Sequence, residues 1–226
     1  LGVDKMVTLA QEMTRVSKAW LGSNELAADL QMRYPSKIVG IVGGEPLDEK
    51  DAFNAKRLRD FEEAVKEHRI KGLLFTPPYG HFYANDKRAY PFYEKAVELD
   101  VAVYFHHAGG AGGGGGPAFF APLKYARPWL LDDVVIDFPD LRINVEHMGY
   151  PWTEELLALM KHAPNVYTDI AQLFSRPTLL AWDLMMAKEY GVIDKVFWGS
   201  DYVGEDLNEY ALSVRKETEW VKTDLN

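Results

Sequence analysis

Seven short apolar runs, each followed by a helical stretch, restrict this 226-residue chain to few architectures. The runs are Lys5–Ala10, Lys37–Val42, Lys71–Phe75, Val101–Phe105, Arg142–Val145, Asn165–Ile170 and Val196–Trp198. Such near-continuous apolar strands are buried on both faces, as in a parallel sheet. Parallel neighbours need crossovers, and the apolar spacing supplies helices between the runs. They are predicted from an Asn24 cap to Arg33, over Asn54–His68 and Pro91–Leu99, over Trp129–Phe138, and from a Thr153 cap to His162. Two more span Thr178–Tyr190, ended by Gly191, and Asn208–Val221. Thr76–His81 reads as a loop, and the segment after Ala10 as polar and irregular.

This alternation predicts right-handed βα units. A (β/α)8 barrel has eight strands and typically about 250 residues. The expectation is therefore an α/β (β/α)8 TIM barrel lacking its first strand in this chain, as one domain over residues 1–226. The abrupt start at Leu1, with no initiator methionine, agrees with residues missing before it. An open doubly wound sheet is the alternative, weakened by the lack of a glycine-rich phosphate loop between a strand and a helix. The run Ala108–Gly116 holds too many glycines for such a fingerprint and reads as a mobile lid or loop.

Composition removes several chemistries. There is no cysteine, so disulfides, thiolate zinc sites and cysteine nucleophiles are excluded, and the absence fits the cytoplasm. Net charge is −9 without a basic cluster, so a nucleic-acid footprint is missing. No run of about 18 apolar residues offers a membrane span.

Three runs end in residues that carry chemistry. Val101–Phe105 leads to His106-His107, Arg142–Val145 to Glu146-His147, and Val196–Trp198, through Gly199, to Asp201. In α/β barrels catalytic groups sit at the C-terminal ends of the strands. A buried carboxylate there needs a metal, a cation or hydrogen bonds. Imidazole and carboxylate together suit zinc and other divalent first-row metals. Strand alternation sends one of His106 and His107 inward and the other outward.

In order along the chain stand Lys71-Gly72, Tyr90-Pro91-Phe92-Tyr93, Glu98 to His106, Tyr125-Ala-Arg-Pro128, Phe138-Pro-Asp-Leu141, His147-Met-Gly-Tyr-Pro-Trp152, Asn165-Val-Tyr-Thr-Asp169 and Trp198-Gly-Ser-Asp201. With this ordered set the chain resembles the amidohydrolase-related barrels grouped with aminocarboxymuconate semialdehyde decarboxylase. The resemblance implies a divalent metal, zinc first with manganese or iron as alternatives, held by His106 and Asp201. It implies His147 as the acid/base beside it, with Asp201 also able to take a proton. The family's first strand ends in a His-x-His or Glu-x-His pair, which this sequence lacks.

The function implied is a metal-dependent hydrolase acting on an ester, lactone or amide. Non-oxidative decarboxylation of an aromatic or unsaturated carboxylate is one alternative. A non-catalytic barrel subunit is the other, motivated by the absent ligand pair. The expected partner is a small carboxylated or aromatic substrate, with no nucleic acid and no membrane; a homo-oligomer is compatible. Arg127 is a candidate clamp for a substrate carboxylate, a surface ion pair being its plain alternative. His81, in a Pro/Gly loop, and Trp152 are further substrate-side candidates, Trp152 equally serving as core or pocket wall. Asp169 is expected to orient a neighbour.

Overall fold

The computed structural model describes residues 4–16, 18–107, 121–173 and 176–202. Seven strands form one sheet: β1 (Met6–Leu9), β4 (Ile38–Gly44), β5 (Gly72–Phe75), β6 (Ala102–Phe105), β7 (Ile143–Val145), β8 (Val166–Asp169) and β9 (Val196–Phe197). Every neighbouring pair is parallel. Their order follows the chain without reversal. That is the order of a barrel wall; a doubly wound sheet reverses at its switch point. The main crossovers are α1 (Asn24–Arg33), α2 (Ala55–His68), α4 (Tyr90–Glu98), α6 (Thr153–His162) and α7 (Pro177–Tyr190). None of the described helices is long and apolar enough to cross a membrane.

The pleat divides each strand between two environments. Leu73 and Phe75, Val103 and Phe105, and Ile143 and Val145 face the helices and build the core. Phe75 is its centre: the rings of Phe82, Phe92, Tyr93 and Phe105 all lie within 5.9 Å of it in edge-on or tilted contact. The alternate residues Tyr104, Asn144 and Asp169 stand on the inner face, where the Asn144 amide donates to Asp169 Oδ2 at 2.9 Å.

Several local expectations need correction. The polar segment after Ala10 is an antiparallel ribbon of β2 (Gln11–Met13) and β3 (Ala19–Leu21). Three-residue strands show no usable period. This ribbon is fixed by tertiary contacts, with Glu45 accepting from Thr14 Oγ1 at 2.8 Å and from the Arg15 N–H at 2.7 Å. It passes so close to β4 that a Cβ on Gly43 would lie 2.6 Å from the Ala10 carbonyl oxygen.

Ser23, not Asn24, caps α1; the Asn24 amide instead binds both the N–H and the carbonyl of Gly43. Trp152, not Thr153, precedes α6 as its cap residue. The Thr76–His81 loop contains a helical turn, α3 (Pro77–Gly80), which Pro at its first position favours. Helix Trp129–Phe138 is a 3-10 turn over Pro128–Leu131 followed by α5 (Asp132–Asp137). The last strand is not buried on both faces: among the described residues it is a sheet edge, with Phe197 51% and Trp198 52% exposed. The expected lid at Ala108–Gly116 and helix at Asn208–Val221 lie outside the described residues.

Two stability predictions follow from this packing. Phe75→Ala removes the ring that four others contact and should cost about 3–5 kcal/mol in denaturant unfolding; a loss under about 1 kcal/mol would show that Phe75 is not the core's centre. Asp183 on α7 is buried, takes a hydrogen bond from Thr153, and is pushed up to about 6 by burial. Its unfolded value is lower, so the native state holds the extra proton, and stability falls as pH rises between about 4 and 6. Asp183→Asn should therefore melt above the parent at pH 7, the gap closing below about pH 4. A pH-independent gap would contradict this.

Candidate active site

His106 follows β6, Glu146 and His147 follow β7, and Asp201 follows β9, all at C-terminal ends of parallel strands. His106 Nδ1 lies 2.9 Å from Glu146 Oε2. His147 Nε2 lies 3.3 Å from His106 Nδ1 and 3.8 Å from Glu146 Oε2. All three side chains are buried, and one nitrogen or oxygen from each falls within 4.8 Å of the others.

Alternation explains two of the three. Glu146 continues the inner face of Asn144, and His106 that of Tyr104. His147 should then point outward. It does not, because His147, Met148 and Gly149 adopt left-handed backbone, with φ of 59°, 51° and 63°. Such a conformation is costly for a residue with a Cβ and persists only where neighbours hold it. Asp169 holds it: its Oδ1 accepts from the backbone N–H groups of His147 and Ala171, both at 3.1 Å. The Ala171 carbonyl in turn lies 3.0 Å from His147 Nδ1. Asp169 thus orients a neighbour, as expected of it.

The site is buried and acidic. Burial pushes the Glu146 carboxyl up to about 8, against the pull of His147; Asp169 and Asp201 push it further. Asp201 is also raised by burial, against His147, His106 and a hydrogen bond with Gln172. Burial lowers His106, against Asp201 and Asp169. Tyr104 is pushed up to about 12 by burial and by Asp169 and Glu146. Burial and the neighbouring carboxyls together account for both raised acids. His106 Nε2 and Glu146 Oε1 are buried and have no hydrogen-bond partner among the described residues. A buried bare imidazole nitrogen and a buried bare carboxylate oxygen are donor types that suit a divalent cation.

The sequence candidates divide into two groups. His106, His147 and Asp201 converge electrostatically, although Asp201 lies outside the tight group of His106, Glu146 and His147. His107 goes the other way: its ring packs 5.4 Å from Phe105, and burial lowers it to about 3. Arg127 pairs with Glu155 and lies 5.5 Å from the Trp152 ring, so its guanidinium is engaged in the plain ion pair. His81 stacks on Tyr125 with centroids 5.6 Å apart. Two residues enter without a role foreseen for them. Glu146 was visible only as a strand-end acid. Tyr79, on α3, sets its ring 5.3 Å from His106 and is raised by burial, Asp201 and Glu146.

The amidohydrolase family profile matches residues 11–221. No curated protein sequence matches the chain. Among solved structures, an uncharacterised TIM-barrel protein of Bordetella bronchiseptica superposes with TM-score 0.73 at 21% identity, over 98% of this chain and 71% of that one. A probable 2-pyrone-4,6-dicarboxylic acid hydrolase of Acinetobacter baumannii, with citric acid bound, gives 0.64 at 14% identity, over 97% and 77%. A dihydroxybenzoic acid decarboxylase of Polaromonas, with manganese and the inhibitor 2-nitroresorcinol, gives 0.58 at 16%, over 99% and 82%. At these identities the likeness establishes the fold, a TIM barrel.

Asp169→Ala should leave the His147 and Ala171 N–H groups without an acceptor, costing about 1–3 kcal/mol in chemical denaturation. Asp169→Asn keeps an oxygen for both and should cost clearly less. Equal losses would show that the left-handed turn does not depend on this acceptor.

Proposed function

Because the chain belongs to the amidohydrolase family, we propose that it is a metal-dependent hydrolase acting on an ester, lactone or amide of a small carboxylated or aromatic molecule. The observation that carries this reading is the buried His106–Glu146–His147 group, faced by Asp201, at the C-terminal ends of parallel strands. His106 and Asp201 would hold the cation, with zinc the first choice and manganese or iron the alternatives. A divalent ion bound there supplies an electrophile and lowers the pKa of its water to about 7.

The chain's own residues supply the rest. His147 is held through Nδ1 by the Ala171 carbonyl, so Nε2 is the nitrogen that takes or gives a proton. Asp201 contributes negative charge and can accept a proton. The Tyr79 phenol, kept protonated by burial, is a hydrogen-bond donor beside His106. Arg127 can clamp a substrate carboxylate only by leaving Glu155, while Trp152 and His81 offer ring faces to an aromatic substrate.

Decarboxylation is the second reading, favoured by the Polaromonas neighbour, a decarboxylase with bound manganese. The two are separated by incubating the protein with lactones and hydroxybenzoates while following ester cleavage against CO2 release. Hydrolysis without CO2 is expected; CO2 without hydrolysis transfers the assignment to a lyase. Neither product, with no metal in the purified protein, favours a non-catalytic barrel. On the active substrate Asp201→Asn should lower turnover by about 10²–10⁴-fold at a melting temperature no lower than the parent's. Full activity in that variant would remove Asp201 from the site.

A further inference from the structure

We infer that Glu146 is a positioning residue that fixes the tautomer of His106 and leaves its Nε2 bare for a cation. The Ala171 carbonyl oxygen can only accept, so His147 Nδ1, 3.0 Å away, carries a hydrogen. In the singly protonated ring the lone pair is then at Nε2. That lone pair faces His106 Nδ1 at 3.3 Å. Two lone pairs cannot face each other at that distance, so His106 Nδ1 carries the hydrogen. Its nearer acceptor is Glu146 Oε2, at 2.9 Å.

A neutral ring protonated at Nδ1 is bare at Nε2. That is the His106 atom found buried and without a partner among the described residues. A histidine that binds a metal through one nitrogen commonly donates its other N–H to a carboxylate, which sets the ring's orientation and strengthens the ligand. Here the carboxylate belongs to the next strand, and the hydrogen-bond chain fixes the tautomer before any cation arrives. Only the last step, the use of Nε2 as a ligand, rests on the proposed metal-dependent function.

The test reads the tautomer and the affinity separately. In 15N-labelled protein freed of metal, the His106 ring nitrogens should show Nδ1 protonated and Nε2 bare. Glu146→Gln keeps an acceptor oxygen and should keep that pattern, with Mn2+ affinity by calorimetry falling less than about 10-fold. Glu146→Leu should mix the two tautomers and weaken Mn2+ by about 10–100-fold, the range seen when a ligand's supporting partner is lost. Glu146→Gln should melt no lower than the parent, because it keeps the acceptor and removes a buried carboxyl, whereas Glu146→Leu strands the His106 N–H and should melt lower while remaining folded. A parent protonated at Nε2 overturns the inference, as does a Glu146→Leu protein with the parent's tautomer and affinity. Equal, larger losses in both variants make Glu146 a direct ligand and also overturn it. A parent with the expected tautomer that binds no Mn2+ upholds the positioning role and defeats the metal-dependent function.

Discussion

Strand alternation admits only one of two consecutive side chains to a barrel lumen, yet Glu146 and His147 both end there. The left-handed turn after β7 makes this possible, and the Asp169 carboxylate holds the turn through the His147 N–H. The same oxygen fixes the Ala171 N–H, and the Ala171 carbonyl fixes the His147 ring. One carboxylate at the end of β8 therefore sets both the backbone and the ring of the residue after β7. Without it the His147 and Ala171 N–H groups lose the acceptor they share.

The electrostatics of the lumen follow from that convergence. Asp169 and Asp201 oppose the ionisation of Glu146, and Asp169 opposes that of Asp201. Enclosure raises the cost of each charge, which is why Glu146 and Asp201 both sit above their ordinary range. A divalent cation reverses the balance, because it favours the charged form of every carboxyl around it. The buried bare atoms on His106 and Glu146 mark where that reversal would be felt most strongly.

Much of this was legible in the sequence. Buried parallel strands are near-continuous apolar runs, so Lys71–Phe75, Val101–Phe105 and Arg142–Val145 stand out, and the strand-end residues His106, His147 and Asp201 stand out with them. What stayed hidden depends on contacts between distant segments. The β2–β3 ribbon is set by Glu45, 31 and 30 positions away from its partners Thr14 and Arg15. Glu146 has no role until the left-handed turn brings His147 in beside it. Tyr79 reaches His106 only because a Pro-Pro segment folds into a helical turn where a loop was expected. Phe197 and Trp198 are apolar enough to suggest a central strand, but among the described residues they lie on the sheet's edge, a property of the whole sheet and not of the run.

The central claim is that the lumen ends of β6, β7 and β9 form a single cation site. Anomalous diffraction from crystals soaked in Mn2+ tests it most directly. The account predicts one strong peak within coordination distance of His106 Nε2, with the Asp201 carboxylate turned toward it. A lumen without a peak, or manganese bound only at surface carboxylates, would contradict it.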